Sequence, residues 1–163
     1  MTPGEHEVHI EISKEDIKFS IAHFTIFPDG SRERLHGHNY RIRMVATYVV
    51  RADGMAVDYG LLKKALRKVC GRLDEYVLLP SGSRYLRVEE TAGSVEATIG
   101  SSRFVFPAAD VIVLPVENIT GEALADHIRS DVLRALGEAG VDLPNRCEIG
   151  VSSGDGQWVS VIG

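Results

Sequence analysis

Two cysteines, Cys70 and Cys147, are all the chain has in 163 residues. They are too few and too far apart for a disulfide framework or a thiolate zinc site, so both read as small buried hydrophobes. Long apolar runs are missing as well, and no stretch reaches the length that a membrane-crossing helix needs. Runs of like charge are absent: lysine and arginine are dispersed, net charge is −5 and the sequence pI is near 5.7, which excludes a basic footprint for nucleic acid. The opening residues, Met1-Thr2-Pro3-Gly4-Glu5-His6, lack the basic and apolar regions of a signal peptide, and a cytoplasmic protein is expected. No repeat, low-complexity tract or linker interrupts the chain. With 44% hydrophobic and 25% charged residues, positions 1–163 read as one soluble domain able to bury a core.

What the chain does have is Leu35-His36-Gly37-His38-Asn39-Tyr40, which opens a long alternation of apolar and polar residues. Successive side chains of a strand point to opposite faces, so His36 and His38 share one. Upstream, Phe19-Ser20-Ile21-Ala22-His23-Phe24 also reads as strand and brings a third imidazole, His23. Three neutral imidazoles suit a zinc ion, and with no fourth protein ligand evident a coordination position stays open for water or substrate. The same spacing also fits ordinary half-buried histidines held by hydrogen bonds.

Around this stretch the pattern is of grouped strands with two helices between them. Glu7 to Ile12 alternates as a strand, Phe27-Pro28-Asp29-Gly30-Ser31 is a turn, and from His38 to Val50 one face carries Tyr40, Ile42, Met44, Ala46 and Tyr48 while Arg41 and Arg43 lie on the other. Asp58 caps a helix with Leu62, Leu66, Val69 and Leu73 inward, and Leu78 to Ser83 breaks it. Residues 85 to 106 suggest small peripheral hairpins, and Val111 to Leu114 a short buried strand. Thr120 starts a second helix with Leu124, Ile128, Val132 and Leu136 inward and His127 facing solvent; a hairpin turns at Gly154-Asp155-Gly156. His6 and His9 read as surface residues. The fold class is therefore α+β, an antiparallel sheet with two helices packed on one face.

Phe19 to Phe24, Leu35 to Tyr40 and Gly54-Met55-Ala56-Val57-Asp58-Tyr59, in this order, resemble the 6-pyruvoyl-tetrahydropterin synthase family, which includes the 6-carboxytetrahydropterin synthases of the queuosine pathway. Asn118-Ile119-Thr120-Gly121-Glu122-Ala123-Leu124-Ala125 resembles its Asn-x-Thr-x-Glu-x-Leu-Ala segment, and Gly154 to Trp158 its closing hairpin. The resemblance implies the tunnelling fold, in which sheets from several subunits close a barrel, and a homohexamer, a dimer of trimers. It also implies Zn2+ held by His23, His36 and His38, and 7,8-dihydroneopterin triphosphate or a close analogue as substrate, with Thr120, Glu122 and Ser153 at the pterin.

The chain departs from that family at three functional positions. Arg32 stands where a catalytic cysteine is usual, Asp74-Glu75 where an Asp-His pair is usual, and Ser153 where a glutamate usually anchors the pterin. Arginine cannot accept a proton near neutral pH, and a hydroxyl accepts weaker bonds than a carboxylate. The standard synthase reaction is expected to be lost or altered. Glu33, three residues before His36, matches the glutamate of a family branch that lacks the cysteine and resembles a side-chain-cleaving enzyme making 6-hydroxymethyl-dihydropterin. Glu33 is thus a candidate general base, with Asp74 and Glu75 as the remaining catalytic candidates. Two alternatives stay open: Glu33 as a loop residue paired with Arg32 or Arg34, and a non-catalytic protein that binds a pterin or purine-like ligand.

Overall fold

The long alternation becomes the spine of the molecule. In the computed structural model, which describes residues 6–163, the strands and helices run β1 (Glu7–Ile12), β2 (Lys18–His23), β3 (His36–Val49), α1 (Tyr59–Leu73), β4 (Tyr76–Pro80), β5 (Arg87–Thr91), β6 (Ser94–Ile99), β7 (Ser102–Pro107), β8 (Val111–Leu114), α2 (Gly121–Glu138), β9 (Arg146–Gly154) and β10 (Gln157–Ile162). The leaderless reading of Met1 to Glu5 lies outside the described residues.

With 14 residues, β3 is long enough to pair with two strands along one edge: its first half with β2, His23 opposite His36, and its second half with β1, Ile12 opposite Met44. Along the other edge it pairs with β9. The seven-stranded sheet runs β10-β9-β3-β2-β4-β8, with β1 beside β3. Its β3-centred part is antiparallel, whereas β4 is parallel to both β2 and β8. The sheet is therefore mixed rather than wholly antiparallel.

Leu78 to Pro80, expected as the start of a helix-breaking stretch that runs to Ser83, belong instead to that middle strand, Tyr76–Pro80. Five residues with no alternation carry no period of their own; their two parallel neighbours make them a strand. The peripheral hairpins are real and form a separate sheet, β5-β6-β7, turning at Gly93 and Gly100 with φ of 89° and 54°.

The helices begin and pack as their sequences require. Asp58 Oδ1 accepts from the Gly60 amide at 2.7 Å, and Thr120 Oγ1 from the Ala123 amide at 3.3 Å, so each helix starts on a side-chain cap. The leucine and valine stripes of both helices are buried with Phe19, Ile21, Tyr40, Ile42, Met44 and Val151 in one core. Each such side chain contributes about 1.5 to 3 kcal/mol when fully buried. A second, smaller cluster, with Phe24, Leu79 and Val95 among its members, lies under the three-stranded sheet. Cys70 and Cys147 are free and buried, as expected. His127 is not solvent-facing. Its side chain keeps 17% of its exposure, with Nε2 3.6 Å from Asp131 Oδ2, and Asp131 in turn accepts from Arg134. The buried stripe of α2 is wide enough to draw the flank at position 127 partly under cover.

Candidate active site

Three imidazoles meet where β2 ends and β3 begins. Register sets His23 across from His36, and alternation sets His38 on the same face. Ring centroids are 4.8 Å apart for His23 and His36, 5.3 Å for His23 and His38, and 4.8 Å for His36 and His38.

Two carbonyl oxygens choose the tautomers. A carbonyl only accepts, so His23 Nδ1–H donates to the Ile119 carbonyl at 2.9 Å and His36 Nδ1–H to the Arg34 carbonyl at 2.7 Å, which leaves Nε2 of each ring as the acceptor nitrogen. His23 Nε2 is buried and has no partner. His36 Nε2 and His38 Nε2 stand 3.1 Å apart, against an edge of about 3.3 Å for imidazoles on a tetrahedral zinc. One donor atom from each ring lies within 4.8 Å of the others. Burial lowers the pKa of His23 and of His38, which keeps both neutral, as ligands must be. An orphaned buried nitrogen beside two converging ones fits a divalent cation with nitrogen preference.

Glu33 joins this cluster. Its Oε2 accepts from the Thr25 amide at 3.1 Å and stands 3.9 Å from His36 Nε2. The Thr25 bond is the main cause holding the carboxyl below its usual range, so Glu33 is ionised and able to accept a proton. Among the described residues its carboxylate forms no ion pair with Arg32 or Arg34, and the Arg32 guanidinium bonds the Glu33 backbone carbonyl instead.

Tyr40 continues the same face of β3, its ring centroid 5.7 Å from that of His38. Burial first, then the charges of Glu33 and Glu122, push its hydroxyl up to about 12, so it remains a protonated donor. Beyond it opens a cavity of about 220 Å³ lined by Tyr40, Glu122, Ser153, Gln157 and Trp158. Glu122 and Ser153 thus come together beside Tyr40, while the Thr120 hydroxyl is used as the helix cap.

Asp74 and Glu75 do not join them. Asp74 Oδ1 accepts from the Ser20 amide at 2.7 Å, and the Glu75 amide donates to the Ser20 carbonyl at 2.7 Å with Glu75 at φ 67°. Glu75 lines a cavity of about 410 Å³ with Ser20, His38, Asn39 and Asp110. Ser20 and Asn39 pair across the strands and bond to each other, and both alternate to the face opposite the histidines.

Sequence reasoning missed the groups that hold the site. The Ile119 carbonyl and Thr25 amide are backbone atoms with no side-chain signal. Asn118 brackets Ile26, accepting from its amide at 3.1 Å and donating to its carbonyl at 2.7 Å, and thereby ties the Glu33 loop to the segment that orients His23. Its position at the head of Asn-x-Thr was the only available hint.

The sequence signature described as 6-pyruvoyl tetrahydropterin synthase matches residues 11–162. A protein of Methanocaldococcus jannaschii assigned as 6-carboxy-5,6,7,8-tetrahydropterin synthase is 27% identical over 143 residues, covering 86% of each chain. One of Pyrococcus abyssi with the same assignment is 28% identical over 122 residues, 74% of this chain and 73% of that one. The 6-pyruvoyltetrahydropterin synthase of Plasmodium vivax superposes with a TM-score of 0.90 at 27% identity, covering 97% of this chain and 98% of that one. It has also been solved with a catalytic glutamate replaced by alanine. The Plasmodium falciparum protein gives 0.87 at 28%, covering 96% and 98%.

Proposed function

Because the chain belongs to the 6-pyruvoyl tetrahydropterin synthase family, matched over residues 11–162, we propose that it is a zinc-dependent lyase acting on 7,8-dihydroneopterin triphosphate or a close analogue, with Glu33 as its base. The observation that carries this reading is the Glu33 carboxylate, fixed by the Thr25 amide 3.9 Å from His36 Nε2. A family chain with Arg32 at the cysteine position has a second group ready to take the proton. The catalytic glutamate of the Plasmodium vivax relative supports the same assignment.

His23, His36 and His38 would hold the zinc, which when bound polarises the oxygens of the substrate side chain and acidifies neighbouring protons. The rest is the work of this chain. The cavity beside Tyr40 receives the ring, with the Glu122 side chain as acceptor and the Ser153 hydroxyl as neutral partner for its guanidine-like edge. Tyr40, kept protonated, donates rather than accepts. Glu33 then takes a side-chain proton. If that proton is carbon-bound, triphosphate leaves, the standard elimination. If it comes from the hydroxyl of the second side-chain carbon, the bond to the first carbon breaks, the second carbon becomes the carbonyl of a two-carbon aldehyde that leaves with the triphosphate, and the first carbon, once reprotonated, is released as 6-hydroxymethyl-dihydropterin. The second outcome is our preferred reading, since it dispenses with the cysteine and with an Asp-His pair. Asp74 and Glu75 bond to Ser20 rather than to the imidazoles; in a homohexamer of cytoplasmic subunits they would be available to a neighbour's site.

A pterin or purine-like binder without turnover is the competing reading, motivated by Arg32, Glu75 and Ser153 together. Zinc-loaded protein incubated with 7,8-dihydroneopterin triphosphate, followed by chromatography for pyruvoyl, carboxy and hydroxymethyl products, separates the two. Hydroxymethyl product is expected, and Glu33→Ala should lower its rate at least about 100-fold. A product formed equally fast by Glu33→Ala rejects Glu33 as base, and no product at all leaves the binder.

A further inference from the structure

An arginine that replaces a catalytic cysteine beside a triphosphate-bearing substrate suggests a phosphate ligand. Its geometry says otherwise. The Arg32 guanidinium turns away from the imidazoles: Nη1 donates to the Glu33 carbonyl at 2.8 Å, and Nη2 to Ser102 Oγ, on β7, at 3.0 Å. Its central carbon lies 4.7 Å from the Phe104 ring centroid and 5.5 Å from that of Phe24, two rings stacked on each other at 5.3 Å. A planar fork that bonds at its edge and packs on aromatic rings is the use to which arginine is suited and lysine is not.

Each hydrogen-bonding group of Glu33 then has an assigned partner. Its amide donates to the Thr25 carbonyl at 3.0 Å, its carboxylate accepts from the Thr25 amide, and its carbonyl accepts from Arg32. Thr25 immediately follows the ring, Phe24, that Arg32 packs against, and Ile26 pairs with Arg32 itself across the loop. From these contacts we infer that Arg32 is a positioning residue for Glu33, and that the three-stranded sheet β5-β6-β7 is the platform that braces the base through Ser102 and Phe104. The inference rests on the reading of Glu33 as base. It gives the arginine a role in the reaction without contact to substrate or metal.

The test uses the full zinc-loaded chain and variants at Arg32, Ser102 and Glu33. Arg32→Ala should lower kcat about 10- to 100-fold, the range expected of a misplaced catalytic group, while leaving KM for the triphosphate substrate and bound zinc per chain unchanged. Arg32→Lys should recover little of this, because an ammonium cannot span carbonyl, hydroxyl and ring faces together. Ser102→Ala, remote from the imidazoles, should lower kcat about threefold and speed amide exchange at Glu33; it carries the test if Arg32→Ala does not fold. In a Glu33→Ala background, Arg32→Ala should add no further loss. A raised KM with unchanged kcat would overturn the inference in favour of a phosphate contact, and additive losses in the double variant would reduce Arg32 to general stability. If Glu33→Ala is inactive while Arg32→Ala and Ser102→Ala keep full kcat, the base assignment survives and this inference falls. If Glu33→Ala keeps full activity, both fall.

Discussion

Tyr48 and His23 present the same defect with opposite meanings. The Tyr48 hydroxyl and His23 Nε2 are both buried without a hydrogen-bond partner. Tyr48 lies toward the far end of β3, opposite Val8, and outside the cluster of ligand-bearing side chains found among the described residues. Its hydroxyl is a desolvated group with nothing in return, and removing it should help: Tyr48→Phe is expected to stabilise the fold by about 1 kcal/mol, read as a higher urea midpoint at unchanged slope. An equal or lower midpoint would mean that the hydroxyl has a partner in solution. His23 differs because two further imidazoles face it, so its orphaned atom reads as a ligand position. The pair His36 and His38 could be read from the sequence because alternation is a local property. That His23 meets them depends on the β2–β3 register, which no single segment encodes.

Among the elements, those with an internal period were legible and those made by their neighbours were not. β3, α1, α2 and the closing hairpin each repeat a spacing that survives in isolation. β4 does not, because Tyr-Val-Leu-Leu-Pro alternates nothing and its proline takes the strand's last position. The α2 N-terminus carries a constraint of a third kind, readable only from packing. A Cβ on Gly121 would lie 2.7 Å from Val159 Cγ1 and 3.7 Å from Val151 Cγ2, so the glycine is what lets the helix start press against β9 and β10. Gly121→Ala is therefore expected to cost about 1 to 3 kcal/mol despite the better helix propensity of alanine, measurable as a drop in Tm. Because Gly121 also borders the cavity of Glu122 and Ser153, the same variant should weaken pterin binding. A variant as stable as the parent would show that β10 can yield at Val159.

The whole molecule joins these scales through its buried titratable groups. Burial pushes the Cys70 thiol up to about 12 and the Cys147 thiol to about 11 from 9.0, and the Tyr40 and Tyr48 hydroxyls to about 12 from 10.0. In each the folded value is raised, so the unfolded chain loses its proton first; the stability is complete below pH 9 and is lost as pH climbs from about 9 to 12. His23 and His38 act in the other direction. Their folded values are lowered from 6.5 mainly by burial, so below that pH the unfolded chain binds protons that the native one refuses, and stability falls on acidification. Zinc should deepen this asymmetry, since it binds only the neutral rings that the native register brings together. At free zinc 100 times its dissociation constant the gain at neutral pH should be about 2.7 kcal/mol, seen as a shift of the urea midpoint. It should shrink as pH drops below about 6, where protons compete for the imidazoles, and vanish at every pH in His23→Ala. A zinc shift that persists in His23→Ala would place the ion elsewhere and leave the three imidazoles as ordinary polar residues of the β2–β3 corner.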